Sequence, residues 1–291
     1  MRRSMIQRLK KLARWGPLLA AGILLGCSTI KFAYNNVDWV LLHKADHYLD
    51  LNDTQRKRAD QLIAARMEVH RREELPIYVA TLKEVRVMLA DNLTPEELAI
   101  IRERIPALYR RTMRDSIPSI VSLLVEVDDA QIDHLQARFE ERNSEFASDF
   151  MPKSLEVRLE RRVERSTTMF EYFIGTLTPE QAELVKVHRN AMPLTADDWL
   201  AYHQARQTEF LVLLRQRASK PTLERFLIAW WVNLAGQPPA LARNMEINTH
   251  TWSEMILALD KTLDSTQRQK LLDTLDRYIK ALGELVPEKT A

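Results

Sequence analysis

Glycine is scarce in this chain of 291 residues, which contains six glycines in all. Beyond the first 26 residues only Gly175, Gly236 and Gly283 remain, whereas average usage of ~7% would place roughly 19 there. β-Hairpins and phosphate-binding loops need glycine for positive φ angles or close backbone approach. The scarcity therefore argues against both, and it favours an all-helical fold.

Cysteine is scarcer still, since Cys27 is the single cysteine and a disulfide within the chain is excluded. A basic stretch that ends at Arg14 precedes it, followed by an apolar stretch of 12 residues from Trp15 to Gly26. A bilayer-spanning helix needs about 20 residues, so this stretch is too short to cross a membrane. The segment from Leu24 to Cys27 resembles the lipobox of bacterial lipoproteins.

That resemblance implies that residues 1–26 are a cleaved signal peptide and that cleavage falls between Gly26 and Cys27. It also implies a diacylglycerol and an N-acyl chain on Cys27, which together anchor a protein stably. The alternative is a free cysteine behind a short anchor. Because Ser28 replaces the Asp that commonly retains lipoproteins at the inner membrane, the resemblance favours the outer membrane. We expect a lipid-anchored protein of the cell envelope that faces the periplasm.

The charge of the exported part differs from that of the whole chain. Six of the 42 basic residues lie in the predicted signal peptide, so 36 basic residues face 40 acidic ones, a net charge of about −4. Affinity for nucleic acids comes largely from neutralised phosphates. We therefore expect no nucleic-acid partner, and instead a membrane contact through the anchor and protein partners in the envelope.

Helical periodicity dominates the rest of the sequence. For example, Leu155, Leu159, Val163 and Phe170 lie on one helix face. Five segments have a capping residue followed three positions later by Gln or Glu, the pattern of a capping box. The five capping residues are Asn52, Thr94, Asp128, Thr178 and Asp264.

These patterns predict an all-α fold, an irregular bundle of about eight helices, with kinks at Pro76, Pro106 or Pro118. Residues 27–35 are expected to form a short extended tether that carries the lipid. Residues 36–286 are expected to form one helical domain, and residues 287–291 a frayed tail.

Two families share motifs with the chain. The Leu-Thr-x-x-Gln boxes resemble the repeated motif of periplasmic stress chaperones of the Spy and CpxP type, which are helical cradles for unfolded clients. The segments from Phe32 to Trp39, from His70 to Tyr78 and from Gln131 to Leu135 look like a proteobacterial lipoprotein family known only as a domain of unknown function. That resemblance implies export, a lipid anchor and a helical body, and it supplies no catalytic residues.

Two groups of polar residues are candidates for chemistry. His43, His47 and Asp50 follow at i, i+4 and i+7, a spacing that could contribute to a metal site or form a polar helix face. His70, Arg71 and Glu74 precede Pro76 and could recognise a ligand at a kink. The favoured interpretation of this second group is a polar network between helices that holds the kink.

Two further places are candidate binding surfaces. Asp38 and Trp39 could form a docking surface beside the membrane, since Trp is favoured at interfaces; the alternative is a capping Asp and a core Trp. Trp231 could anchor a partner if exposed, or it could lie at the boundary of the core next to Trp230.

The sequence therefore leaves two classes of function open. The first is a lipid-anchored binding module: an envelope chaperone, adaptor or scaffold. The second is a metal-binding or enzymatic lipoprotein that uses His43 and His47 or the His70 to Glu74 cluster. We favour the first, because no set of residues converges on a catalytic motif, and we expect no cofactor besides the lipid chains on Cys27.

Overall fold

The structure is a computed structural model that describes residues 27–287. As predicted, every regular element in this range is helical, and the range contains no strand. The predicted signal peptide with Gly26, and the tail from residue 288 onward, lie outside the described residues. None of the helices within the range combines the length and apolar character that a membrane crossing requires.

The described range contains eleven continuous helices, more than the roughly eight expected, where a helix that passes through a π turn is counted once. The elements are α1 (Cys27–Asn35), α2 (Val37–Leu49), α3 (Asp53–Val69), π1 (His70–Glu74), α4 (Leu75–Met88), α5 (Pro95–Leu124), α6 (Asp129–Phe150), α7 (Leu155–Ile174), α8 (Pro179–Ala191), α9 (Ala196–Arg215), α10 (Lys220–Leu227), π2 (Ile228–Val232), α11 (Pro239–Asp260) and α12 (Ser265–Gly283).

The prediction of an extended tether at residues 27–35 is wrong, because these residues form helix α1. This helix packs along α12, and Lys31 Nζ lies 2.6 Å from a carboxylate oxygen of Glu284 just beyond α12. The physical reason is an apolar spacing across the assumed boundary at residue 36. Ile30, Tyr34 and Val37 recur at i, i+4 and i+7, which gives a helix one face to bury.

All five predicted capping boxes are confirmed as helix starts. In each one the capping side chain accepts a hydrogen bond from the N3 amide, and the N3 side chain accepts one from the capping residue's amide. These reciprocal bonds satisfy two backbone donors that a helix start otherwise leaves without a partner. Gly175 ends α7 with a φ of 84°, a conformation that glycine adopts without strain.

The apolar core of the described residues has two parts. The larger joins α2, α3, α5, α6, α9, α10, π2 and the start of α11 around side chains such as Ile117 and Leu227. The smaller joins α7, α8, α11 and α12 around Val185 and Met255. Helix α5 stays helical for 30 residues across both Pro106 and Pro118. Wider π turns form elsewhere, at residues 70–74 and at residues 228–232.

Candidate functional site

The widened turn π1 contains the predicted His70 to Glu74 cluster. Pro76 has no N–H and its ring crowds the preceding turn, so a regular α-helix cannot pass through it without cost. The amide of Leu75 donates to the carbonyl of His70, five residues back, instead of four. The wider turn accommodates the proline, and π turns of this kind occur frequently at functional sites.

Glu74 is the buried centre of this cluster, with 2% of its surface exposed. Its two carboxylate oxygens accept hydrogen bonds from the Arg66 guanidinium and from the Thr112 hydroxyl. Burial alone would raise the pKa of Glu74, but the hydrogen bonds from Thr112 and Arg66 outweigh it and lower that pKa. Glu74 is therefore an ionised carboxylate whose two oxygens are both hydrogen-bonded within the protein.

His70 lies between two tyrosines. Its Nδ1 is 2.7 Å from the Tyr34 hydroxyl, and the Tyr78 ring meets the imidazole edge-on with centroids 5.4 Å apart. Burial lowers the pKa of His70 more than the nearby Glu74 carboxylate raises it, so the imidazole is neutral at pH 7. Burial raises the pKa of Tyr34 to about 12, and its hydroxyl can donate to the neutral ring.

The surrounding contacts make this cluster a network between helices, which is the interpretation favoured from the sequence. Tyr78 in α4 lies 2.6 Å from the Thr112 hydroxyl in α5, and Arg66 Nε in α3 donates to Ser116 Oγ at 3.2 Å. The Arg71 guanidinium lies 5.1 Å from the centroid of the Tyr34 ring in α1. Polar groups of α1 and α5 thus meet the continuous helix α3–π1–α4 at its π turn, and we name this set the π1 network.

The candidate metal-binding set His43, His47 and Asp50 is not brought together. Helix α2 ends at Leu49, and Asp50 takes a left-handed conformation with a φ of 46°. Asp50 therefore leaves the helix face on which the sequence placed it with His43 and His47. His43 instead stacks against Trp39, with ring centroids 5.6 Å apart. From residue 27 to residue 287, no group of three or more His, Cys, Asp or Glu could hold a metal ion.

The structure exposes Trp39 and packs Trp231 against the core, so the favoured interpretation is wrong for the first and confirmed for the second. Trp39 is 66% exposed, and the side chain of Asp38 accepts from the amide of Trp39 instead of capping the helix. The interpretation as a capping Asp and a core Trp is therefore wrong. Trp231 packs against the larger core beside Trp230, which confirms the boundary position and makes an exposed anchor at Trp231 wrong.

An open groove of about 690 Å³ runs along α7 and α8. Its lining combines an apolar row and an acidic row on α7 with two polar residues of α8: Leu155, Leu159, Val163, Glu156, Glu160, Glu164, Lys186 and Asn190. The sequence placed the apolar row on the same face as Phe170. The structure buries Phe170, whereas Leu155 is 59% exposed. We name this surface the α7–α8 groove.

A family model matches residues 47–231, and its description is a family of unknown function, DUF6279. The matched range covers more than half of the chain. The chain belongs to this family. No curated protein and no solved structure matches it.

The family match includes some of these features and leaves others out. Arg66, Glu74 and Thr112 of the π1 network lie inside the matched residues 47–231, as does the whole α7–α8 groove. Helix α1 and most of α2 precede the matched residues, so Tyr34 and Trp39 lie outside them. The match therefore covers α3 to α10 and leaves out α1, most of α2, α11 and α12.

Four of the five capping boxes are joined in pairs, which the sequence analysis missed. The amides of Gln55 and Gln131 donate to each other at 3.1 and 2.8 Å. Those of Gln181 and Gln267 do the same at 2.8 and 2.9 Å. Glutamine can pair in this way because its amide both donates and accepts. The remaining box has Glu97 at this position, and its carboxylate cannot donate. The sequence signal for the pairing was therefore the presence of Gln, and not Glu, three residues after the cap in four of the boxes.

Proposed function

We propose that this protein is a lipid-anchored binding module of the bacterial envelope that holds a helical segment of a partner protein in the α7–α8 groove. The observation that carries this proposal is the apolar row at Leu155, Leu159 and Val163. These residues recur at i, i+4 and i+8, the spacing at which one amphipathic helix receives another. The anchor rests on the lipobox resemblance from Leu24 to Cys27.

The charges beside the row specify the chemistry of the partner. Glu156, Glu160 and Glu164 are exposed and follow the same spacing, so they form an acidic edge parallel to the apolar row. Lys186, on α8, lies 3.2 Å from Glu183 and is thereby partly neutralised. The groove therefore favours an amphipathic helix with leucine-like side chains on one face and Lys or Arg along its edge.

A synthetic helix of this composition tests the groove. We expect a labelled peptide with leucines at i, i+4 and i+8 and an adjoining row of lysines to bind residues 28–291. Changing Glu156, Glu160 and Glu164 together to Gln should weaken binding roughly tenfold at low salt, since each exposed charge pair contributes about 0.5 kcal/mol. Fluorescence anisotropy at several salt concentrations measures this effect, which salt should diminish.

A matched variant controls for net charge. Changing Glu96, Glu103 and Glu246 to Gln removes three exposed acidic charges from α5 and α11, and it should leave the affinity for the peptide nearly unchanged. Equal weakening by the two triple variants would show only a general charge effect. That result, or no binding by the unmodified protein, would contradict the proposed groove.

A further inference from the structure

Two large aromatic side chains are exposed shortly after Cys27. Phe32 in α1 is 69% exposed and Trp39 in α2 is 66% exposed. They are seven residues apart, which is about two helical turns, and only Asn36 separates α1 from α2. The spacing therefore places them on one side of a nearly continuous helical segment. His43, one turn further along, stacks against Trp39 and extends the same side.

The rest of the molecule holds the other side of this segment. Tyr34 reaches the π1 network through His70, and Lys31 pairs with Glu284 beyond α12. The segment is therefore fixed in orientation relative to the helical body, unlike a free tether. Whatever covers Phe32 and Trp39 must approach from outside the described part of the chain.

We propose that Phe32 and Trp39 enter the interfacial layer of the bilayer that receives the lipid chains of Cys27. This inference rests on the proposed lipid anchor. A helix rises 1.5 Å per residue, so Phe32 lies about 8 Å and Trp39 about 18 Å along the axis from Cys27. With Cys27 held at the membrane surface, a helix that lies along that surface brings both rings into the layer where aromatic side chains are favoured.

The charges near the aromatic side chains indicate which lipids are needed. Asp38 next to Trp39 and Lys44 next to His43 are both exposed and opposite in charge, and the positive charge of Lys31 is paired with Glu284. Attraction to anionic headgroups is therefore largely offset at this face. The contact depends on burial of the rings, and it should form on uncharged phosphatidylcholine as readily as on a mixture that contains anionic lipid.

Site-specific fluorescence tests this contact on the full lipidated chain. Because Cys27 is the single cysteine and its sulfur is occupied by lipid, an Asn36→Cys variant carries one free thiol. Asn36 is exposed between Phe32 and Trp39, so this variant keeps both rings in place. An environment-sensitive dye on that thiol, in phosphatidylcholine vesicles, should emit at shorter wavelength and be quenched by spin-labelled lipid several-fold more than in a control. Val212→Cys is the matched control, an apolar side chain that is 45% exposed on α9.

The outcomes separate this inference from the anchor on which it rests. Intact-mass measurement first establishes whether each labelled protein is acylated. If acylation is present and the dye at position 36 is no more quenched than at position 212, the membrane-facing role is overturned and the anchor stands. If acylation is absent, the anchor fails and this inference fails with it.

Discussion

Replacing Glu74 with alanine should lower the free energy of unfolding by about 4 kcal/mol, because removing one partner of a buried ion pair leaves the other charge uncompensated. The side chain of Arg66 is only 14% exposed, and its Nη1 atom already has no hydrogen-bond partner. Loss of the carboxylate would also free the Thr112 hydroxyl. Urea denaturation followed by far-ultraviolet circular dichroism measures the change.

The neighbouring residue supplies the control for this variant. Glu73 belongs to the same π turn, but its side chain is 51% exposed and pairs with the exposed Arg72. Glu73→Ala should therefore change stability by no more than about 0.5 kcal/mol. Equal losses in Glu73→Ala and Glu74→Ala would show that the buried carboxylate contributes no more to stability than the exposed one, and our account of the π1 network would then be wrong.

The second large effect is expected at the paired capping boxes. A Gln131→Glu substitution should cost about 3 kcal/mol at pH 7, because it places a carboxylate in a buried site and removes a donor that the site uses. The Gln131 amide donates to the carbonyl of Leu49 at 2.8 Å and to Gln55 Oε1 at 2.8 Å. A carboxylate cannot donate either hydrogen bond. Its negative charge would lie close to the Leu49 carbonyl oxygen and Gln55 Oε1, which repel it.

The fifth box provides the reverse substitution as a control. Glu97 caps the exposed start of α5 and pairs with no other box in the described chain, so Glu97→Gln should change stability by about 0.5 kcal/mol or less. Chemical denaturation of both variants gives the comparison. The loss in Gln131→Glu should shrink as the pH falls towards about 4.3, the ordinary pKa of Glu, because protonation restores a donor. A loss independent of pH would contradict this explanation.

Fold class and helix starts were predictable because their signals are local. A capping box needs a cap and a side chain three residues later, so positions such as Thr94 and Asp264 mark helix starts without knowledge of the tertiary structure. The start of α1 was missed although its signal was also local, since the spacing of Ile30 and Tyr34 was treated as part of a tether. The error lay in the assumed boundary at residue 36, which separated Ile30 and Tyr34 from Val37.

The π1 network was predictable in part. Arg66, His70, Glu74 and Tyr78 follow one another at intervals of four residues, and this polar row on one helix face was visible in the sequence. Thr112 is 38 residues from Glu74, and no local pattern links such distant positions. The pairing of Gln55 with Gln131 is likewise a contact between distant helix starts, which tertiary packing alone creates.

The central claim is that lipid on Cys27 holds the helical body at a membrane. Mass spectrometry of the protein recovered from membranes of its native host tests this claim most directly. We predict a chain that begins at Cys27, without residues 1–26, and that carries the added mass of diacylglycerol and an N-linked acyl chain. A free thiol at Cys27, or a chain that retains the preceding residues, would contradict the account.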